Sequence, residues 1–242
     1  MKKQVLTLPL LFLLMTLISF SGESLNFSGK DKKEERKVAD FSEITISIAA
    51  DVELKQGNEC KVVLEGDEDI LENTKTKVSG DELIIKSNKT FNFGWNDEIK
   101  IYITTKNIEK ISIAGSATIN SKTKIKADEI KFQVSGSGKI SIQDLEATEI
   151  GGSISGSGKI NIAGTKTSKK LDLSISGSGK FDSEKLQIEE ADIKISGSGK
   201  GIVNITEYLE AGVSGSGRVS YYGNPRINTN VSGSGKIRSA DY

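Results

Sequence analysis

The chain has 242 residues, with 33 bases balanced by 33 acids, no histidine and a single cysteine. That balance argues against a nucleic-acid partner held through overall charge, and one cysteine excludes an internal disulfide framework. Without histidine, the commonest general base and metal ligand near neutral pH is missing.

In chain order, Lys2 and Lys3 precede an apolar run over residues 5–20, and the small residues Ser19, Ser21 and Gly22 mark its end. The pattern predicts a secretory signal peptide over residues 1–21. The run is short for a membrane span of about 20 residues, so no integral span is expected after cleavage. Cleavage leaves 31 bases against 33 acids. Residues 22–37 are polar and charged and read as a flexible leader. The folded part begins near Val38 and Phe41, where Ile44, Ile46, Ile48, Ala50, Val52 and Leu54 alternate, Ala50 and Val52 standing where glycines stand later.

Between residues 56 and 110 the pattern is degenerate. Strand-like runs at residues 60–64, 82–86 and 98–104 are separated by turn signals such as Gln56-Gly57-Asn58 and Ser79-Gly80-Asp81. Residues 67–73 read as one short helical turn. Ile111, Ile113, Gly115, Ala117 and Ile119 then form the first near-regular coil.

From there Ser-Gly-Ser-Gly-Lys/Arg recurs six times, its first serines being Ser135, Ser155, Ser176, Ser196, Ser214 and Ser232, spaced 20, 21, 20, 18 and 18 residues apart. Such a period marks a solenoid, whose units bury their apolar faces by stacking on neighbours. Around the first copy, Ile130, Phe132, Val134, Gly136, Gly138, Ile140 and Ile142 share one parity, which means extended strand with one face buried. The glycines stand on that buried face, where each Gly-Ser-Gly reads as a corner at which the chain turns inward. A coil of about 20 residues at roughly 3.3 Å each has a perimeter near 66 Å, enough for two or three short strands. A propeller blade needs about twice the period, and the leucine-rich signature is missing. The prediction is an all-β, right-handed parallel β-helix. Residues 38–242 form one domain, with 38–110 as degenerate N-terminal rungs and cap and 111–242 as regular coils. The last coil is expected to be uncapped, so that its sheet edge is covered by an earlier loop or pairs with another subunit as a homo-oligomer.

Several features together resemble the head GIN domain family of putative auto-transporter adhesins: Arg36-Lys37-Val38-x-x-Phe41-x-x-Ile44, the Gln56-Gly57 turn, the serial Ile/Val-Ser-Gly-Ser-Gly, and Tyr222-Gly223-Asn224-Pro225. This is a domain of unknown function common in secreted proteins of Bacteroidetes-type bacteria, and the resemblance spans residues 36–240. It implies a right-handed β-helix in the envelope or outside it, and it supplies no catalytic residues to carry over. No translocating barrel of the kind an auto-transporter uses is expected within these residues.

Candidate chemistry is sparse. Cys60 shares parity with Val62 and Leu64 and reads as a small buried hydrophobe. The serial motif is not a phosphate loop, because one residue rather than four separates its glycines and no Ser or Thr follows the lysine. Asp144 and Glu146, with Glu184, Glu189, Glu190 and Asp192, are carboxylates of the type a glycan-cleaving β-helix would pair across a cleft, but nothing in the pattern pairs them. Two surface features stand out as binding candidates. One is the cation column Lys139, Lys159, Lys180, Lys200, Arg218 and Lys236 with serines beside it; the other is the aromatic loop Phe91, Phe93 and Trp95, which reads first as a plug over the N-terminal end of the core.

No catalytic residue, metal site or cofactor is expected. The reading is a non-enzymatic exported scaffold or adhesion module, in the periplasm, on the outer-membrane surface or outside the cell, with a glycan or an envelope protein as ligand. The alternatives are a polysaccharide-active enzyme on the same fold and a self-assembling structural module.

Overall fold

The computed structural model describes residues 32–88 and 99–240. The expected signal peptide and residues 22–31 of the leader lie outside the described residues, as do Phe91, Phe93 and Trp95. Coils stack in parallel register to build a β-solenoid. Each regular coil has a strand that enters the corner, such as 129–136, and a strand that leaves it, such as 139–142, with a third, less regular side between successive turns.

Alternation sends every second side chain inward, and stacking turns these into columns. One runs Ile113, Val134, Ile154, Ile175, Ile195, Val213 and Val231. A second, beyond the corner, runs Ile119, Ile140, Ile160, Phe181, Gly201, Val219 and Ile237. Column members are almost wholly buried in the interior coils, each Val, Ile or Phe contributing roughly 1.5–3 kcal/mol by leaving water. Volume is balanced between coils. Phe132 lies level with Gly152, and Phe181 lies level with Gly201. A Cβ at Gly152 would meet Leu173 Cδ1 at 2.9 Å and the Phe181 ring at 3.3 Å, so the missing side chain makes room for both neighbours.

At the corner the serines face outward and the second glycines are buried in the interior coils, as expected. The first glycines are only half-buried there and lie against the backbone of the coil below rather than in the core, so the two glycines differ in task. Gly136, Gly156, Gly177, Gly197, Gly215 and Gly233 all have φ between 109° and 118°, a region costly for any residue with a Cβ. A Cβ on Gly156 would also stand 2.7 Å from the Gly136 carbonyl oxygen one coil below, which accepts the Ser157 N–H at 2.9 Å. The second glycine, Gly158 in the same coil, is buried because Val134 of the preceding coil packs where its side chain would be.

The N-terminal end departs from the parallel pattern. The helix Glu68–Asn73 matches the expected turn and buries Ile70 and Leu71. Around it, Lys61–Gly66 runs antiparallel to Lys100–Thr105, and Thr74–Ser79 antiparallel to Glu82–Ser87. The expected leader ends in a strand: Lys32–Arg36 pairs antiparallel with Lys61–Gly66, and Arg36 donates to the Leu71 carbonyl at 2.7 Å. Lys33 meets Glu65 at 3.1 Å, and Glu65 accepts the Tyr102 hydroxyl at 2.8 Å. That bond, with partial burial, pushes the Tyr102 phenol up to about 12. Asp51 pairs with Thr118 and Thr118 with Lys139, so Ala50 is level with the second corner glycine, whereas Val52 is level with Ile140 and not with a glycine as expected. The buried apolar residues form one continuous cluster from Phe41 to Val219.

Gly156→Ala is expected to lower unfolding stability by about 2 kcal/mol or more, through positive φ and the carbonyl contact. Ser157→Ala, at an exposed neighbouring position, should stay within about 0.5 kcal/mol. Chemical denaturation followed by circular dichroism distinguishes the two.

Candidate ligand-binding wall

Parallel register carries the sequence repeat onto the surface. Lys139 pairs with Lys159, Lys159 with Lys180, Lys180 with Lys200, Lys200 with Arg218 and Arg218 with Lys236. All six predicted cations therefore form one column along the solenoid axis, with rungs about 4.8 Å apart. Lys139, Lys159, Arg218 and Lys236 are exposed, and Lys180 and Lys200 are half-buried. Among the described residues only Lys180 of the six has an ion-pair partner, Asp182 at 2.9 Å two positions along its own strand. Unit charges held as close as the rungs would repel by roughly 1 kcal/mol per neighbouring pair even in water. An anion laid along the column would relieve that repulsion.

Two serine columns flank the cations across the corner. Ser135, Ser155, Ser176, Ser196, Ser214 and Ser232 are level with one another on the entering strands. The second serines, Ser137 through Ser216, are placed by N–H bonds of 2.8–3.0 Å to the glycine carbonyl one coil below. Hydroxyls donate and accept, so the strip offers polar contacts beside the charge.

The sequence did not single out the next column, Gln133, Ser153, Ser174, Lys194, Gly212 and Asn230. There Gly212 faces outward with open space where its Cβ would be. A shallow groove of about 300 Å³ forms over it, bordered by Ser174, Lys194, Ser196, Ser214 and Asn230. Its one advance signal was a glycine of the wrong parity for a corner.

A larger cleft of about 830 Å³ lies on another side, lined by Lys110, Lys126, Lys131 and Lys166 together with Glu43, Glu109, Asp128, Glu129 and Glu146. Its charges are largely mutually satisfied: Lys110 meets Glu43 at 3.2 Å and Lys131 meets Glu129 at 2.7 Å. Glu146 sits among Lys166, Lys124 and Lys126. The Lys166 hydrogen bond above all, with the charges of Lys126 and Lys124, holds the Glu146 carboxyl below the usual glutamate range. A general acid for glycoside cleavage needs the opposite shift. Asp144 meets Lys124 at 3.6 Å, and Asp192 meets Lys194 at 2.8 Å. Cys60 is half-buried against the core, its Sγ 3.4 Å from Thr105 Oγ1.

A family model described as putative auto-transporter adhesin, head GIN domain, matches residues 40–225. No curated protein matches the chain. Among solved structures, a putative adhesin from Bacteroides fragilis is similar at a TM-score of 0.82 and 23% identity, covering 88% of this chain and 98% of its own. A putative lipid binding protein from Parabacteroides distasonis is similar at 0.71 and 25% identity, with 88% and 98% coverage. A putative adhesin from Parabacteroides merdae is similar at 0.62 and 20%, with 88% and 97% coverage.

In a carboxyl-carbon NMR titration, Glu146 is expected to have its midpoint below the ordinary glutamate range, because its charged form is the one the lysines favour. Lys166→Met should move the midpoint upward, and an unmoved midpoint would contradict this account of the cluster.

Proposed function

The chain belongs to the head GIN domain family, described as putative auto-transporter adhesins, and on that premise we propose that it is a non-enzymatic, exported adhesion module of the cell envelope. Its ligand on this reading is an extended anionic glycan lying along the corner, with its charges on the cation column and its hydroxyls on the flanking serines. The observation that carries the proposal is the in-register column of six cations, five of them without an ion-pair partner among the described residues.

A stripe of one sign, repeated at every rung, suits a polymer better than a small molecule. Each exposed contact is weak, about 0.2–1 kcal/mol, and affinity accumulates by repetition along one rigid axis. The same exposure makes the interaction sensitive to salt, since exposed charges are screened beyond roughly 8 Å at physiological ionic strength. The lysine-bound state of Glu146 favours binding over glycan hydrolysis. The Parabacteroides distasonis neighbour described as lipid binding makes lipopolysaccharide, an anionic glycan on a lipid, a natural member of the ligand panel.

The test is an array of acidic and neutral glycans that includes lipopolysaccharide, probed with the intact secreted chain at low and physiological salt. Acidic members should bind, more strongly at low salt, and Lys159→Ser/Lys180→Ser/Lys200→Ser should weaken binding about tenfold or more. Binding that survives the triple substitution would remove the column from the reading. Release of reducing sugar from the bound glycans would replace adhesion with catalysis.

A further inference from the structure

The two ends of the solenoid present different edges. At the N-terminal end the edge strands Lys32–Arg36 and Thr74–Ser79 carry Lys32, Lys33, Glu34, Glu35 and Arg36, and Lys75 and Lys77. Charged edge strands resist pairing with another sheet. At the opposite end, Arg226–Gly233 pairs on one side with the preceding coil, and all eight of its residues are exposed. Ile227 is 52% exposed and Val231 41%, the exposed large hydrophobics of the described residues. Both continue inward columns: Ile227 follows Ile150, Leu171, Ala191 and Leu209, and Val231 follows Ile175, Ile195 and Val213. Thr229 lies between them, level with Ala211.

We propose that this edge pairs with the same edge of a second copy, antiparallel and centred on Thr229. The inference is independent of the glycan reading. Its basis is that the strand is self-complementary about that residue. In the register that sets Thr229 opposite the partner's Thr229, Ile227 faces the partner's Val231 and Val231 faces the partner's Ile227, which closes the open core with two aliphatic pairs. On the outward side Asn228 meets the partner's Asn230, and Arg226 meets the partner's Ser232, so no like charges stand opposite one another. Aliphatic, Thr–Thr and polar cross-strand pairs each favour pairing. Registers displaced by two residues in either direction lose both Ile–Val pairs.

The two-fold axis through Thr229 also reverses the strand direction. The strands Lys236–Ser239 of the two copies therefore leave toward opposite flanks, and their Lys236 and Arg238 cations do not meet. Isologous pairing of this kind occupies the Arg226–Gly233 edge of both copies and closes at a dimer, while the short Lys236–Ser239 edges stay apart on opposite flanks. It makes one sheet continuous through two molecules and joins their two cation-bearing walls in a single particle.

Analytical ultracentrifugation of the intact secreted chain over a wide concentration range should show a reversible monomer–dimer equilibrium. Ile227→Lys/Val231→Lys should weaken dimerisation at least about tenfold, with an unchanged circular dichroism spectrum. Antiparallel partners are about 4.5–5.5 Å apart at Cα, within the span of a disulfide. In a Cys60→Ser background, Thr229→Cys should therefore cross-link copies on oxidation, and Lys236→Cys should not. A monomer at every concentration, assemblies longer than two, a dimer indifferent to the lysine substitutions, or cross-linking at position 236 equal to that at 229 would each overturn the proposal.

Discussion

At every corner of this protein, backbone lies directly on backbone. The first glycine of each motif approaches the carbonyl of its counterpart one coil below so closely that a methyl group could not enter, while from Ser137 to Ser216 the serine after it donates its N–H to that same carbonyl. A parallel sheet can otherwise slide by a residue, and a one-residue slip would exchange its faces. Here the corner sets the phase of both flanking strands in each coil, so the core columns on one side and the serine and cation columns on the other follow from it together.

The same register accounts for two surfaces of opposite electrostatic character. Beside the corner, like charges are stacked on like because the repeat places a cation at the same phase in every coil. On the side that holds Glu146, where coils differ in sequence, acids and lysines from successive turns interleave and satisfy one another. The first arrangement leaves five of its six cations without an ion-pair partner among the described residues. The second stabilises the less regular side and holds the Glu146 carboxyl below the usual glutamate range, opposite to the shift a general acid for glycan hydrolysis needs.

The coils from Ile111 onward were readable residue by residue because period and parity agree there: inward Ile130, Phe132 and Val134, outward Ser135 and Ser137, and Lys139 in its column. The N-terminal end was read only in part. Glu68–Asn73 was visible as a turn, but the reversal of Lys61–Gly66 and Thr74–Ser79 was not, since alternation reports which face is buried and says nothing about strand direction. Lys32–Arg36 resembled a solvated leader because its five residues are all charged. What holds it is pairing to Lys61–Gly66 and distant partners such as Glu65 and Leu71, which no local pattern encodes. The Glu146 cluster and the groove over Gly212 were hidden for a related reason: both are assembled from residues about one coil apart in sequence that meet only after stacking.

The alternation of Phe132 with Gly152 and of Phe181 with Gly201 bears on how such an array can change over time. Corners are interchangeable, which invites loss or duplication of whole turns when similar repeats recombine. Interiors are not: deleting the turn that contains Gly152 would remove the space that Leu173 and the Phe181 ring now fill. Loss or gain of a turn therefore carries a repacking cost inside the core that it does not carry at the corner.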